Sequence, residues 1–269
     1  MTGFIGGGNM AEALIKGIIR SFGSGARGKE KEIIVSEPRQ DRRDYLEKTY
    51  SIKTTHDNKE VIRNSKIIIL AVKPQNMDDV TAEISDLITK DMIIVSIAAG
   101  ITLSWLTARL KTSKVIRVMP NTPALVQEGM SVLSMCECIH DTEMGMVRGI
   151  FMSIGKMLVL PEKYMDAVTA LSGSGPAFFA YFVESMTEGG VQMGLSEETA
   201  SGLAVQTLLG TAKLLDTGMS PKNLREMVTS PKGTTAAGLE VFGEKGLKQI
   251  IIETLLAAKK RSEELGKKN

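Results

Sequence analysis

The chain has 269 residues, 43% hydrophobic and 24% charged, with a formal net charge of +2. This is ordinary globular composition, with length for one large or two modest domains. The near-neutral balance carries no nucleic-acid footprint, no apolar run is long enough to cross a bilayer, and the first residues lack the basic start and unbroken apolar stretch of a signal peptide. Residues 2–5 (TGFI) then read as a short strand, 6–11 (GGGNMA) as a glycine turn and 12–19 as an amphipathic helix. A G-x-G-x-x-A turn in that context is a dinucleotide-binding signal. Gly6 permits the tight turn, Gly8 lets a pyrophosphate approach the backbone, and the small Ala11 lets helix and strand pack closely. The anion would sit on free N–H groups at a helix N-terminus, where the dipole favours negative charge. A merely structural turn is the alternative.

Further strands are expected at 32–36, 51–55, 66–72, 92–98, 114–119, 130–135 and 156–160, with helices at 41–49, 75–88 and 102–110. The continuous apolar runs KIIILAV and MIIVSIA suit strands buried on both faces. Alternating β and α signals predict an α/β fold, with an N-terminal doubly wound Rossmann domain over 1–161. Beyond Pro161 strand signals stop. Spans 166–171, 176–193, 197–216, 221–228, 235–242 and 247–265 read as helices, with Ser196 and Ser220 before helix starts and Pro221 at a first helical position. Gly and Ala crowd these spans, which predicts an all-helical C-terminal domain over 162–269 with close helix contacts.

The second strand ends Val35-Ser36-Glu37-Pro38-Arg39. An acidic residue there takes the ribose 2′-hydroxyl and favours NADH, whereas a hydroxyl with a nearby arginine accepts the 2′-phosphate of NADPH. Ser36 and Arg39 favour NADPH; Glu37 argues for NADH unless it faces solvent. The loops Ala71-Val72-Lys73-Pro74, Ala98-Ala99-Gly100 and Pro120-Asn121-Thr122-Pro123 follow apolar strands, where open α/β sheets bind ligands, although each alone is equally a loop of turn formers. In the helical part, TSPKGTT at 229–235 precedes a helix. Its hydroxyls, glycine and free N–H groups suit a small carboxylate, and equally an ordinary N-cap.

Remaining candidates read as unremarkable surface. His56 and His140 have no His or Cys at ligand spacing, so no metal site is expected. Basic runs at 29–31 and 259–261 read as solvated. Cys136 and Cys138 form a C-x-C pair that is neither a zinc signature nor a disulfide framework, which fits a reducing cytosol and a cytoplasmic location.

Several stretches together resemble a known family, the pyrroline-5-carboxylate reductases. They are GFIGGGNMAEALIKG from residue 3, AVKPQ at 71–75, AAG at 98–100, VIRVMPNTPALVQEG at 115–129, DAVTALSGSGPAFF at 166–179, GGVQMGL at 189–195 and TSPKGTTAAGL at 229–239. The resemblance covers nearly the whole chain. It implies reduction of the cyclic imine 1-pyrroline-5-carboxylate to L-proline with NAD(P)H, the last step of proline biosynthesis. It implies cofactor contacts at Ile5, Gly6, Gly7, Gly8, Asn9, Met10, Ser36, Asn58, Ala71, Val72, Lys73, Pro74, Ile97, Ala98 and Ala99. Glu162, Thr234 and Thr235 would lie at the small-molecule substrate, with Ser230 and Gly233 in the same carboxylate cradle and Thr235 as the hydroxyl donor to the reacting nitrogen. A helical domain that interlocks in a homodimer, often assembled into decamers, is also implied. Met227 stands where some members carry a polar residue near the cofactor. Two other readings are a related hydroxy- or keto-acid dehydrogenase, for which Lys213, Lys222 and Lys232 stand in no telling context, and a non-catalytic NADP-binding regulator, which would not need the carboxylate cradle.

Overall fold

The structure, a computed structural model, describes residues 1–21, 32–136 and 139–266. The basic run at 29–31 and Cys138 lie outside the described residues. The first elements are β1 (Thr2–Ile5), α1 (Asn9–Ser21), β2 (Ile33–Ser36), α2 (Gln40–Tyr50), β3 (Lys53–Thr55), α3 (Asn58–Asn64), β4 (Ile67–Leu70), α4 (Met77–Ile84), β5 (Ile93–Ser96), α5 (Leu103–Leu110) and β6 (Val115–Met119). They are followed by β7 (Gly129–Met135), α6 (Asp141–Met152), β8 (Gly155–Val159), α7 (Met165–Val168), α8 (Gly175–Gln192), α9 (Glu197–Asp216), α10 (Pro221–Met227), α11 (Thr234–Glu244) and α12 (Leu247–Gly266).

Among the described residues eight strands form one sheet in the order β3-β2-β1-β4-β5-β6-β7-β8. The first six follow the 3-2-1-4-5-6 order of a dinucleotide-binding sheet. Their mutual pairings are parallel, while β6 and β7 pair antiparallel. A short 3₁₀ turn, Thr122–Val126, links those two strands, and only antiparallel neighbours can be joined without a crossover of a dozen or more residues. The alternation of side chains along a strand explains the apolar runs. Ile67 and Ile69 of β4 join a core with Leu14 of α1, Leu46 of α2 and Phe151 of α6. Ile68 and Leu70 face the other way, into a core with Ile62 of α3, Ile84 of α4 and Leu106 of α5. Burying each such side chain contributes about 1.5–3 kcal/mol of transfer free energy, so both faces of the sheet are held.

Two helices were not expected from sequence. In α6, Gly145 and Gly149 weaken local helix propensity, but Met144, Val147, Ile150 and Phe151 are buried at helical spacing, and packing prevails. Helix α3 is only seven residues long and starts from an Asp57 carboxylate that accepts from the Lys59 N–H. The single helix expected over 75–88 is α4 flanked by 3₁₀ turns, Pro74–Asn76 and Ser85–Leu87. Cys136 is disulfide-bonded, where the sequence suggested reduced thiols.

The chain divides into two compact units, one of Met1–Ser174 with Ala258–Asn269 and one of Gly175–Ala257. The sequence boundary at 161/162 lies ahead of this division. In the second unit Gly190 lets α8 approach α9, since a Cβ there would stand 2.6 Å from the Ala200 Cβ. The unit also presents Phe179, Tyr181, Leu203, Val241 and Ile250 to solvent. Among the described residues no helix is long and apolar enough to cross a membrane.

Candidate functional site

Parallel strands bring their carboxyl ends to one edge of the sheet, and backbone bonds tie the loops there together. The Gly6 N–H donates to the Ser36 carbonyl at 2.8 Å, Ala71 N–H to Ile5 at 2.8 Å, and Ile97 N–H to Leu70 at 3.2 Å. The residues expected at a dinucleotide therefore line one margin: the 5–11 turn, Ser36 to Arg39, the 71–74 loop and the 97–99 loop. Gly6 has φ 98°, and a Cβ on it would lie 2.8 Å from the Ala71 carbonyl oxygen. Only glycine fits between the two strand ends. Gly8 differs: nothing lies within 4 Å of its missing Cβ. It leaves open space before the first turn of α1, whose N–H groups lack helical acceptors. Ala11 is buried against the sheet. An absent side chain, open space and unpaired donors at a helix start are what a pyrophosphate needs, so the residues fit a dinucleotide.

At the end of β2 the residues differ sharply in what they touch. Ser36 is buried, and its hydroxyl donates to Asn58 Oδ1 at 2.6 Å, which brings Asn58 to the same margin. Asn58 Nδ2 in turn donates to Glu83 Oε2 at 2.7 Å. Glu37 does not face solvent. Its side chain is 12% exposed against 64% for Arg39, and its Oε2 accepts from the Gly7 N–H at 3.0 Å. Arg39 reaches the same carboxylate with Nε at 3.6 Å.

A further group of residues, unmarked in the sequence, grips the turn from α2. Arg42 Nε donates to the Gly7 carbonyl at 2.7 Å, and its guanidinium pairs with Glu12 in the first turn of α1. Tyr45 and Tyr50 hydroxyls donate to Glu12 Oε1 at 2.9 and 2.8 Å. Burial alone would raise the Glu12 pKa. The hydrogen bonds from Arg42, Tyr50 and Tyr45 outweigh it and hold the carboxyl below the usual range. Burial, followed by the Glu12 carboxylate, pushes the Tyr50 phenol well above its ordinary value. Arg42 lies in a mostly polar helix whose one buried residue is Leu46, and only the fold distinguishes it from its charged neighbours.

In the helical unit the 229–235 loop turns tightly before α11. Gly233 N–H donates to the Ser230 carbonyl at 3.0 Å, Lys232 adopts φ 61°, and Gly233 is the N-cap. A Cβ on Gly233 would meet the Ser230 hydroxyl at 2.3 Å. No side chain caps this helix, so the Thr234 and Thr235 hydroxyls do not serve as its N-cap. Glu162 belongs to the sheet unit. Its Oε1 accepts from the Leu103 N–H at 2.7 Å and pairs with Arg117 Nη1 at 3.1 Å. A cavity of about 280 Å³ nearby is lined by Gly100, Thr102, Arg117, Asp166, Glu263 and Gly266; none of these is an expected cofactor contact.

With this geometry in view, comparison with known proteins gives consistent matches. The family model described as pyrroline-5-carboxylate reductase dimerisation matches residues 162–265. Residues 1–100 match the model described as NADP oxidoreductase coenzyme F420-dependent. A pyrroline-5-carboxylate reductase of Synechocystis sp. is 42% identical over 99% of this chain and 98% of its own length. Pyrroline-5-carboxylate reductase 3 of Rattus norvegicus is 38% identical over 99% of this chain and 96% of its own. Among solved structures, a pyrroline-5-carboxylate reductase from Coxiella burnetii superposes with TM-score 0.90 at 33% identity, covering 98% of this chain and 97% of that one. The Plasmodium falciparum pyrroline carboxylate reductase, solved with NADP bound, gives 0.86 at 30% identity with the same coverage.

Proposed function

The chain belongs to the pyrroline-5-carboxylate reductase family, and from that premise we propose that it reduces the cyclic imine 1-pyrroline-5-carboxylate to L-proline, closing proline biosynthesis, with NADPH as reductant. Similarity over the full length carries this reading, because a match confined to the sheet would support dinucleotide binding alone. The start of the dimerisation match at residue 162 supports a division of labour between 1–161, for the cofactor, and 162–269, for substrate and dimer.

Bound NADPH supplies a hydride to the imine carbon. The N–H groups around Gly8, Asn9 and Met10 hold its pyrophosphate, with Ile5, Gly6, Gly7 and Ala11 shaping the turn. Ser36, Arg39 and Asn58 serve the adenosine end, and Ala71 to Pro74 with Ile97 to Ala99 serve the nicotinamide half. In the helical unit, the Thr234 N–H and Ser230 hold the substrate carboxylate, with Gly233 shaping the turn, and the Thr235 hydroxyl donates to the ring nitrogen as hydride transfer returns its lone pair. Glu162 contributes to substrate binding. A protonated imine brings its own proton, so the protein needs to orient and dry the pair rather than supply a strong acid.

The dimerisation match implies a homodimer. Support comes from the helical unit itself: a Cβ on Gly189, Gly202, Gly210 or Gly238 would meet nothing within 4 Å. These small residues are not explained by close contacts inside the chain, and the exposed apolar side chains around them need cover. Assembly of dimers into decamers and a cytoplasmic location complete the proposal. The test is NADPH absorbance with pyrroline-5-carboxylate beside a 2-keto acid, with proline identified as product. NADPH oxidation by the keto acid and not by the imine would refute the reading.

A further inference from the structure

Glu37 sits directly after β2 and folds back onto the glycine turn. Its Oε2 accepts from the Gly7 N–H at 3.0 Å, and its Oε1 from the Arg39 N–H at 3.2 Å. At the other end of the same residue, Arg42 Nε donates to the Gly7 carbonyl at 2.7 Å. Gly7 is thus gripped at both ends, and the carboxylate is fixed beside the anion cradle rather than free to swing into solvent. Arg43 does not neutralise it: its Nη1 donates to the Glu37 and Pro38 carbonyls at 2.6 and 2.8 Å. Arg39, mostly exposed, is the cation that approaches the carboxylate, at 3.6 Å.

In this fold the residue at the end of the second strand meets the adenosine ribose. A carboxylate there accepts from a 2′-hydroxyl. Beside a 2′-phosphate it is a like charge at short range, and discrimination by repulsion is as effective as discrimination by attraction. We infer that Glu37 is a cofactor-discriminating residue: it accepts from the adenosine 2′-hydroxyl of NADH and opposes the 2′-phosphate of NADPH, which narrows the margin by which the chain favours NADPH. The inference rests on the proposed reductase function for its cofactor, but not for its test, which can be read from binding alone.

Dissociation constants of NADH and NADPH, and of 5′-AMP and 2′,5′-adenosine bisphosphate, are measured by titration for the full chain and for Glu37→Ser and Glu37→Gln. Glu37→Gln keeps the side-chain volume and an acceptor for the Gly7 N–H, so it guards against a variant that merely loosens the turn. Both variants should shift the NADPH-to-NADH affinity ratio toward NADPH by about tenfold or more, with the same shift between the two adenosine nucleotides and a parallel change in the ratio of kcat/KM for the imine. Unchanged ratios, or equal losses for all four ligands, would overturn the inference and leave Glu37 a loop support. Failure to reduce the imine with either cofactor, with the binding shift intact, would count against the proposed reaction and not against Glu37.

Discussion

Gly6 and Gly8 lie two residues apart in one turn, yet a methyl group at each should fail in opposite ways. At Gly6 the backbone has φ 98°, and the added Cβ would stand 2.8 Å from the Ala71 carbonyl oxygen and 2.9 Å from its carbon. A side chain in that backbone region costs about 1–3 kcal/mol. No rotamer relieves a collision with backbone, so Gly6→Ala should destabilise by about 2–4 kcal/mol in all. For a unit of this size that lowers Tm by roughly 5–15 °C. At Gly8 nothing lies within 4 Å, and exchanging Gly for Ala at a helix start changes stability by about 1 kcal/mol or less. The methyl would instead fill the space through which a pyrophosphate reaches the α1 N–H groups. Losing one charge-assisted bond of about 1.5–3 kcal/mol raises the NADPH Kd roughly ten- to hundredfold. Thermal melts without cofactor and fluorescence titrations with NADPH separate the two effects. A Gly8→Ala protein that binds NADPH like the parent, or a Gly6→Ala protein that melts with it, would refute the reasoning.

Other residues give sharper or milder outcomes. Thr235→Val should fold, because the hydroxyl does not cap α11; kcat/KM for the imine should fall by about tenfold to a hundredfold, up to the value of a preorganised donor, with NADPH affinity unchanged in titrations. Full activity would leave Thr235 a mere helix start. Arg39→Ala should raise KM for NADPH about fivefold and leave NADH nearly unaffected, a modest effect because the side chain is mostly exposed; equal changes for both cofactors would remove Arg39 from the 2′-phosphate. Glu12→Gln should destabilise at neutral pH by about 1–3 kcal/mol, through loss of charge-assisted bonds from Arg42, Tyr50 and Tyr45. The folded pKa of Glu12 lies below its unfolded value, so this contribution is present above the unfolded pKa and fades as pH falls through the folded one. Urea denaturation at about pH 7 and at a pH below the ordinary carboxylate range should show the gap between parent and variant closing; a gap that persists there would mean the ion pair is not its source.

Much of the site was legible before the fold. Gly6, Gly8 and Ala11 announce a dinucleotide turn: Gly6 fits where the Ala71 carbonyl excludes a side chain, Gly8 leaves the approach to the α1 N–H groups open, and the small Ala11 packs in the core. The 229–235 loop was ambiguous, since hydroxyls before a helix serve caps and ligands alike; the structure assigns the cap to Gly233 and leaves the threonine hydroxyls uncommitted to it. The sequence leaves open whether Glu37 faces solvent, and nothing in it marks Arg42. Both are charged residues in polar stretches, and what they do depends on Gly7, thirty or more positions away in sequence.

Local pattern determined the alternation of strands and helices, the change to an all-helical second part and the strand-turn-helix at the start, because period-two burial, helix caps and glycine sterics act over a few residues. Tertiary structure alone decided the antiparallel turn into β7, the helix α6 in spite of its glycines, and the grip of Glu37 and Arg42 on the N–H and carbonyl of Gly7. Those features arise where segments distant in sequence meet, and there the partner's position, not the residue's own preference, sets whether a charge is solvated, paired or aimed at a ligand.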